Sequence, residues 1–319
     1  MTFVRLLLLA CAALAAPALA QNYPTKPIRM LIPFTAGSAS DILARLIGPK
    51  LLDAWGQQVV IDNRPSAGGM VAGGIVATAT PDGHTLMLTS SAFAGSAALF
   101  PKMPYDSAKD FSGVSLVASN PLVLVVPPGL GVKSVNELLA LARGKPGQIN
   151  FASSGIGSGT HYGSELFRLA AKIDVVHVPY RGTPEALNDT LSGRIQYYLA
   201  PILPSLPLIR EGRLLPLAVT TLQRAPLLPD VPTLAEGALP GFEYDGWFGV
   251  IAPSKTPRAI IGKLAHEIAR IVDLTEIRER IASLGGRARS STPEEFDRLI
   301  HAEIETRAKI FRAAGTKAD

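Results

Sequence analysis

Short apolar segments alternate with helical periodicity in the first ninety residues of the chain. The apolar segments lie at 28–32, 58–62 and 85–89. After the first of them, Ile42 and Leu46 stand four residues apart, as do Leu43 and Ile47, so one face of the following segment is apolar. Strand-like segments that alternate with helical ones predict a parallel α/β sheet. Pro49 is expected to kink the first helix or to end it early.

The middle of the chain repeats this alternation, and the last part is helical. Further strands are predicted at 121–127, 149–152, 175–178, 194–199, 214–220 and 246–252. Residues 100–112 have the character of a loop, and Thr292 with Glu295 forms a capping box that starts the last helix. Two alternating units predict two lobes that face each other across a cleft, with a ligand at the carboxyl ends of the strands. We expect lobe 1 to comprise residues 21–119 and 253–319, and lobe 2 to comprise residues 120–252.

Two stretches of small residues each separate a predicted strand from the helix that follows it. We name them the N-terminal turn (residues 34–41) and the central turn (residues 153–161). Unpaired backbone N–H groups and the positive end of a helix make such a place suitable for an anion. The candidate ligand-binding residues in these turns are Phe34, Ala36, Gly37, Ser38, Asp41, Ser154, Gly155, Ser158, Thr160 and His161. An ordinary capped helix start that binds no ligand is the alternative for each turn. Asp41 is expected to orient the backbone or water, because its carboxylate would repel an anionic ligand.

The first twenty residues have the pattern of a secretory signal peptide. Arg5 precedes an apolar run from Leu6 to Ala20, and the run ends in an Ala-x-Ala pattern. We therefore expect cleavage after Ala20 and export to the periplasm. Cys11, the only cysteine, lies within this segment. Lipidation of Cys11 is the alternative, and cleavage after Ala20 would leave no thiol for disulfides, metal ligation or catalysis.

The amino-acid composition limits the classes of partner that we expect the protein to bind. The 319 residues carry 31 Lys and Arg against 26 Asp and Glu, a formal net charge of +5. These charges are spread along the chain without a basic run that contains aromatic residues, so we expect no nucleic acid partner. A mild positive excess favours small anions. The histidines show no metal-ligand spacing, and we expect neither a metal ion nor another cofactor.

Five longer motifs follow one another along the mature chain. They are Pro33-Phe34-x-Ala36-Gly37-x-x-x-Asp41, Asp62-Asn63-Arg64-Pro65-x-Ala67-Gly68-Gly69, Ser154-Gly155-x-Gly157-Ser158-x-x-His161, His177-Val178-Pro179-Tyr180-Arg181-Gly182 and Pro229-Asp230-Val231-Pro232-Thr233. As an ordered set they resemble the periplasmic solute-binding proteins of tripartite tricarboxylate transporters, which are also called Bug receptors. The resemblance implies a two-lobed type II periplasmic binding protein fold that closes on a small carboxylate.

The same resemblance implies the ligands, partners and further site residues. Ligands in the family are di- and tricarboxylates, acidic amino acids and aromatic acids, and the expected partners are the membrane subunits of the transporter, where the cell has them. Ser90 and Arg181 fall in segments that line the cleft in relatives, and Arg181 is the best placed cation for a second ligand carboxylate. We expect a monomer. A ligand sensor that signals to a membrane partner is the alternative function.

Three positions depart from the usual family pattern. Ser38 replaces a common glycine, Tyr162 replaces a common leucine, and Gln196-Tyr197 replaces a common Val-Asp pair. Ser38 would add a hydroxyl donor beside the ligand. A serine triad of Ser158, His161 and Asp41 is the enzymatic alternative, but no Gly-x-Ser-x-Gly nucleophile elbow follows a strand. We therefore predict a binding protein and not an enzyme.

Overall fold

A computed structural model describes residues 23–100 and 102–316 of the chain. The predicted signal peptide, residues 1–20 with Cys11, lies outside the described residues. The strands are β1 (Ile28–Ile32), β2 (Val59–Asn63), β3 (Thr85–Ser90), β4 (Phe111–Val126), β5 (Asn150–Ser153), β6 (Val176–Pro179), β7 (Tyr197–Pro201), β8 (Leu215–Val219) and β9 (Asp245–Pro253). The helices are α1 (Ala39–Trp55), α2 (Met70–Ala77), α3 (Ala92–Leu99), α4 (Val135–Gly144), α5 (Gly159–Ala171), α6 (Thr183–Leu191), α7 (Ile202–Arg210), α8 (Arg258–Val272), α9 (Thr275–Ser283) and α10 (Pro293–Ala313).

The first sheet is built on the three N-terminal strands. Strand β1 lies between β2 and β3 and is parallel to both, so the predicted parallel arrangement is confirmed. Strand β9 pairs with β3 in the antiparallel sense, and β4 pairs with β9 in the same way. Because β1 and β3 are parallel, the N-terminal turn after β1 and Ser90 at the end of β3 lie at the same edge of the sheet.

The second sheet repeats the parallel arrangement. Strand β5 lies between β6 and β7 and is parallel to both. Strands β7 and β8 each pair with β4 in the antiparallel sense. Strand β4 belongs to both sheets, because it pairs with β9 as far as Pro121 and with β7 and β8 from Leu122 onward. The structure is therefore a mixed α/β fold with two lobes joined by a shared strand. The residue boundaries of the predicted lobes stay predictions.

Two local expectations failed. Helix α1 does not end early at Pro49 but continues to Trp55, because its buried face, which includes Leu43, Ile47 and Leu51, packs into the core of the first lobe. Packing of that kind outweighs the helix-breaking tendency of one proline. Strand β4 begins at Phe111, inside the segment that was expected to be a loop. The pairing of Phe111 with Pro253 on β9 is a long-range contact that local sequence does not reveal.

The C-terminal helix α10 packs on both lobes. The predicted capping box is confirmed, since Thr292 and Glu295 each accept a hydrogen bond from the backbone N–H of the other. Phe296, near the start of α10, is buried in the first lobe against Trp247. Phe311, near its end, is buried in the second lobe with Tyr162. Within residues 23–100 and 102–316, no helix has the length and apolar character needed to cross a membrane.

Candidate functional site

The N-terminal turn is held by backbone and side-chain hydrogen bonds at the start of α1. Ser38 is the N-cap, and its hydroxyl accepts a hydrogen bond from the N–H of Asp41 at 3.3 Å. The Asp41 carboxylate accepts from the N–H of Gly37 at 2.9 Å and from Nε of Arg45 at 3.1 Å. Ala36 and Gly37 are exposed, whereas Phe34 and Ser38 are half-buried. The backbone of the turn is therefore exposed to solvent at Ala36 and Gly37. The buried Asp41 holds the turn in place through its hydrogen bond from the Gly37 N–H.

The charge of Asp41 is already compensated inside the protein. Burial raises the pKa of Asp41, but hydrogen bonds from Arg45 and the Gly37 N–H outweigh burial and hold the pKa below its ordinary value. Asp41 therefore stays ionised at neutral pH, and Arg45 is its partner. The predicted role of Asp41 in orienting the backbone fits this geometry.

In the central turn, the hydroxyls of Ser154 and Ser158 both lie within hydrogen-bond distance of the Thr160 hydroxyl. The Thr160 hydroxyl accepts from the N–H of Ser154 at 2.9 Å and lies 2.9 Å from the Ser154 hydroxyl. It also lies 3.0 Å from the hydroxyl of Ser158. Ser158 is the N-cap of α5 and accepts from the N–H of His161 at 3.2 Å. Gly155 donates its N–H to the hydroxyl of Ser153, at a φ of 120° that favours glycine.

The two turns have the same geometry. The N-caps Ser38 (φ −66°, ψ 159°) and Ser158 (φ −64°, ψ 162°) are nearly superimposable in backbone conformation. Each follows a glycine of positive φ, 81° at Gly37 and 80° at Gly157. The N–H of Gly37 bonds the Asp41 carboxylate, and that of Gly157 bonds Nδ1 of His161 at 3.1 Å. The two turns were expected to be of the same type. The structure shows that they also agree in the backbone angles of the N-cap and of the glycine before it.

The fully buried His161 stacks on the half-buried His177 beneath the central turn. Their rings lie 4.0 Å apart with an interplanar angle of 9°, and the side chain of His161 has no exposed surface. His177 Nε2 lies 2.6 Å from the Ser153 hydroxyl, which in turn receives the Gly155 N–H. Each histidine thus supports one part of the turn, His161 through Gly157 and His177 through Ser153. Burial and the neighbouring His161 lower the pKa of His177 to about 3.

This depressed pKa makes stability depend on pH. Unfolded His177 binds a proton below its ordinary pKa of 6.5, whereas folded His177 stays neutral down to about pH 3. We therefore expect His177 to stabilise the fold fully above pH 6.5 and to lose up to about 1.4 kcal/mol of that stability per pH unit below it. Urea unfolding at several pH values between 7 and 4 measures this slope, and His177→Gln should flatten it. The exposed His266→Gln serves as the matched control; equal slopes in wild type and His177→Gln would contradict the prediction.

The lobes meet where the central turn touches α3 of the first lobe. Gly95 of α3 lies so close to Gly157 that a Cβ on Gly95 would overlap the Gly157 carbonyl oxygen. The hydroxyls of Ser91 and Tyr244 are 3.3 Å apart, and a Cβ on Gly159 would lie 2.6 Å from the Tyr244 hydroxyl. Sequence reasoning missed Gly95 and Tyr244, because neither belongs to a turn or motif. These contacts join α3 of the first lobe to the central turn of the second.

The remaining candidates lie at the same strand ends. Ser90 is buried at the end of β3, where its hydroxyl accepts from the N–H of Ala92. Ser153 and Pro179 are partners on β5 and β6, so Arg181 follows a strand that ends beside the central turn. The side chain of Arg181 is exposed, and its backbone N–H donates to Glu185. Ser154, Ser158, Thr160 and His161 are thus brought into direct contact, whereas Arg181 stands at the rim.

The geometry does not assemble Ser158, His161 and Asp41 into a triad, and the described part of the chain shows no metal centre. His161 directs Nδ1 at Gly157, and Asp41 is engaged by Gly37 and Arg45, so Ser158 has no histidine base within this arrangement. Within residues 23–100 and 102–316, no cluster of three or more His, Cys, Asp or Glu residues is placed to hold a metal ion. Hydrogen-bond donors at two helix starts are suited to binding an anion.

These features define a class: a two-lobed binding protein of the periplasmic type, with matched turns at the facing strand ends. A family model described as "Tripartite tricarboxylate transporter family receptor" matches residues 43–316. The chain belongs to this family of solute-binding receptors, which confirms the resemblance drawn from the motifs.

Similar proteins extend over nearly the whole chain. Protein BugT of Bordetella pertussis is 36% identical over 311 residues, which cover 97% of this chain and 95% of BugT. The structure "R. palustris Rpa4515 with adipate" is 34% identical with a TM-score of 0.85 and covers 92% of this chain and 98% of that one. The structure of MatC from Rhodopseudomonas palustris with bound malate is 32% identical with a TM-score of 0.80, covering 90% and 99%.

Proposed function

We propose that the exported protein captures a small carboxylic acid between the N-terminal turn and the central turn. It then delivers the acid to the membrane subunits of a tripartite tricarboxylate-type transporter and acts as a monomer. Di- and tricarboxylates, acidic amino acids and aromatic acids are the substrate class. Export depends on the predicted signal peptide, residues 1–20.

The matched pair of turns is the observation that carries this proposal. Both turns place a serine N-cap and unpaired helix N–H groups at the carboxyl end of a strand, where an anion is favoured. The three hydroxyls of Ser154, Ser158 and Thr160 supply additional donors. Two relatives of known structure carry adipate and malate, both dicarboxylates, according to their descriptions. The family and the chemistry of the turns therefore favour the same ligand class.

Closure is the mechanism of capture. The closed cleft brings donors of both lobes to the ligand at once, whereas the open cleft offers one set at a time. A ligand that contacts both turns consequently binds the closed state more tightly and shifts the equilibrium toward it. The shared strand β4 pairs with β9 where the two lobes join. The closing movement takes place about these two strands.

A panel of carboxylic acids tests the proposal. We expect at least one of adipate, malate, citrate, glutamate or benzoate to raise the melting temperature of the mature protein. At a concentration 100 times its dissociation constant, the acid should stabilise the fold by about 2.7 kcal/mol. Differential scanning fluorimetry finds the ligand, and isothermal titration calorimetry then gives its affinity.

The amides of the same acids are the matched controls, because they keep the shape but lack the negative charge. They should leave the melting temperature unchanged. A panel in which no acid stabilises the protein, or in which amides act as well as acids, would contradict carboxylate binding.

A further inference from the structure

Arg307 on α10 is a fully buried cation with incomplete pairing. Its side chain is 1% exposed. Nε donates to the Glu303 carboxylate at 2.9 Å, whereas Nη1 and Nη2 find no hydrogen-bond partner of good geometry in the described part of the chain. Burial lowers the pKa of Arg307, but Glu303 and Tyr244 outweigh burial, so the pKa lies above its ordinary value and the guanidinium is charged. Glu303 itself is partly exposed, at 22%.

Two tyrosines separate this guanidinium from the start of α5. The guanidinium carbon lies 4.0 Å from the ring centroid of Tyr162 and 6.0 Å from that of Tyr244. Tyr162 belongs to the first turn of α5, next to His161. The Tyr244 hydroxyl contacts the Ser91 hydroxyl and faces Gly159, the first residue of α5. Arg307 therefore stands directly behind the helix start at which the central turn presents its donors.

A buried charge with unpaired donors costs free energy unless another charge offsets it. Glu303 offsets part of the Arg307 charge through Nε, and the remainder is directed into an interior of low dielectric, where electrostatic interactions are strong. Tyr162 and Tyr244, the two side chains between Arg307 and the start of α5, are themselves only 8% and 5% exposed. An anion at the start of α5 would therefore interact with Arg307 across a region from which these two rings exclude water.

We propose that Arg307 is a positioning residue for the ligand, the buried cation that favours a carboxylate at the start of α5 through Tyr244 and Tyr162. The inference rests on the proposed function, because it requires an anion between the two turns. Tyr244 orients its hydroxyl toward Ser91 and the central turn, and Arg307 supplies the positive potential behind it. The rim residue Arg181, by contrast, has an exposed side chain. Tyr162, a departure from the usual family pattern, carries the closest ring contact to Arg307.

Opposite effects of two substitutions test this role. Calorimetric titration with adipate and malate is performed on wild type, Arg307→Met and Glu303→Gln. Arg307→Met should weaken binding of the acid by about tenfold, in line with the loss of one charged interaction. Glu303→Gln should tighten binding about twofold or more, since it removes the carboxylate that competes with the ligand for Arg307. A purely structural role of the pair would weaken binding in both variants.

Matched controls lie on the same helix. Arg312→Met and Glu305→Gln change the net charge equally at exposed positions, and both should bind within twofold of wild type. Binding of Arg307→Met within twofold of wild type, or tighter, would overturn the inference, and so would weaker binding by Glu303→Gln. If Arg307→Met does not fold, Glu303→Gln decides alone. If wild type binds neither adipate, malate nor any other acid of the panel, the proposed function itself fails.

Discussion

Gly95→Ala is expected to weaken ligand binding by about ten- to hundredfold, the cost of one severe overlap at a packed contact. Gly95 belongs to the first lobe and Gly157 to the second, and the new Cβ would overlap the Gly157 carbonyl oxygen. We expect an open, ligand-free cleft to separate these two residues and relieve the overlap, so the ligand-free protein should keep its melting temperature. Calorimetric titration with the acid found in the panel measures the affinity, and small-angle X-ray scattering measures closure.

Gly262→Ala is the matched control for this substitution. Gly262 also lies within a helix, α8, but a Cβ there would have no atom within 4 Å. Its replacement should leave affinity unchanged and stabilise the fold by about 0.5–1 kcal/mol, because alanine is the better helix former. Wild-type affinity in Gly95→Ala would mean that the ligand-bound state does not require the contact between Gly95 and Gly157.

Phe296→Ala is expected to lower the free energy of unfolding by about 3–5 kcal/mol. The ring is completely buried and meets Trp247 edge-on at a centroid distance of 5.0 Å. It fills space left by Gly113 on β4 and Gly249 on β9, where a Cβ would collide with it. The ring thereby fixes the C-terminal helix on the two strands that join the lobes. Urea unfolding monitored by tryptophan fluorescence measures the loss.

Leu222→Ala removes apolar atoms at a position that is 54% exposed, and it serves as the control. It should change the free energy of unfolding by less than about 0.5 kcal/mol. A loss below 1 kcal/mol in Phe296→Ala would show that the surrounding side chains collapse into the vacated space. In that case Phe296 would not be the anchor of the C-terminal helix.

Local sequence was sufficient where a few neighbouring residues decide the conformation. Small residues between a strand-like segment and a helical one predicted turns at 34–41 and 153–161, and helices α1 and α5 do begin there, with Ser38 and Ser158 as N-caps. The capping box of Thr292 and Glu295 was predicted for the same reason, since both partners lie within one helical turn. Alternating strands and helices also predicted the parallel pairing of β1 with β2 and β3.

The sequence by itself therefore determined the two turns, the parallel α/β units and, through its motifs, the receptor family. Only the tertiary structure decided that Gly95 meets Gly157, that Arg307 lies behind the start of α5, and that β4 runs through both sheets. The physical reason is the distance along the chain between the residues that interact. Caps and turns depend on hydrogen bonds between residues three or four apart, whereas the contacts of Gly95 and Arg307 join segments far apart in the chain. Their formation depends on how whole lobes pack, which no local pattern encodes.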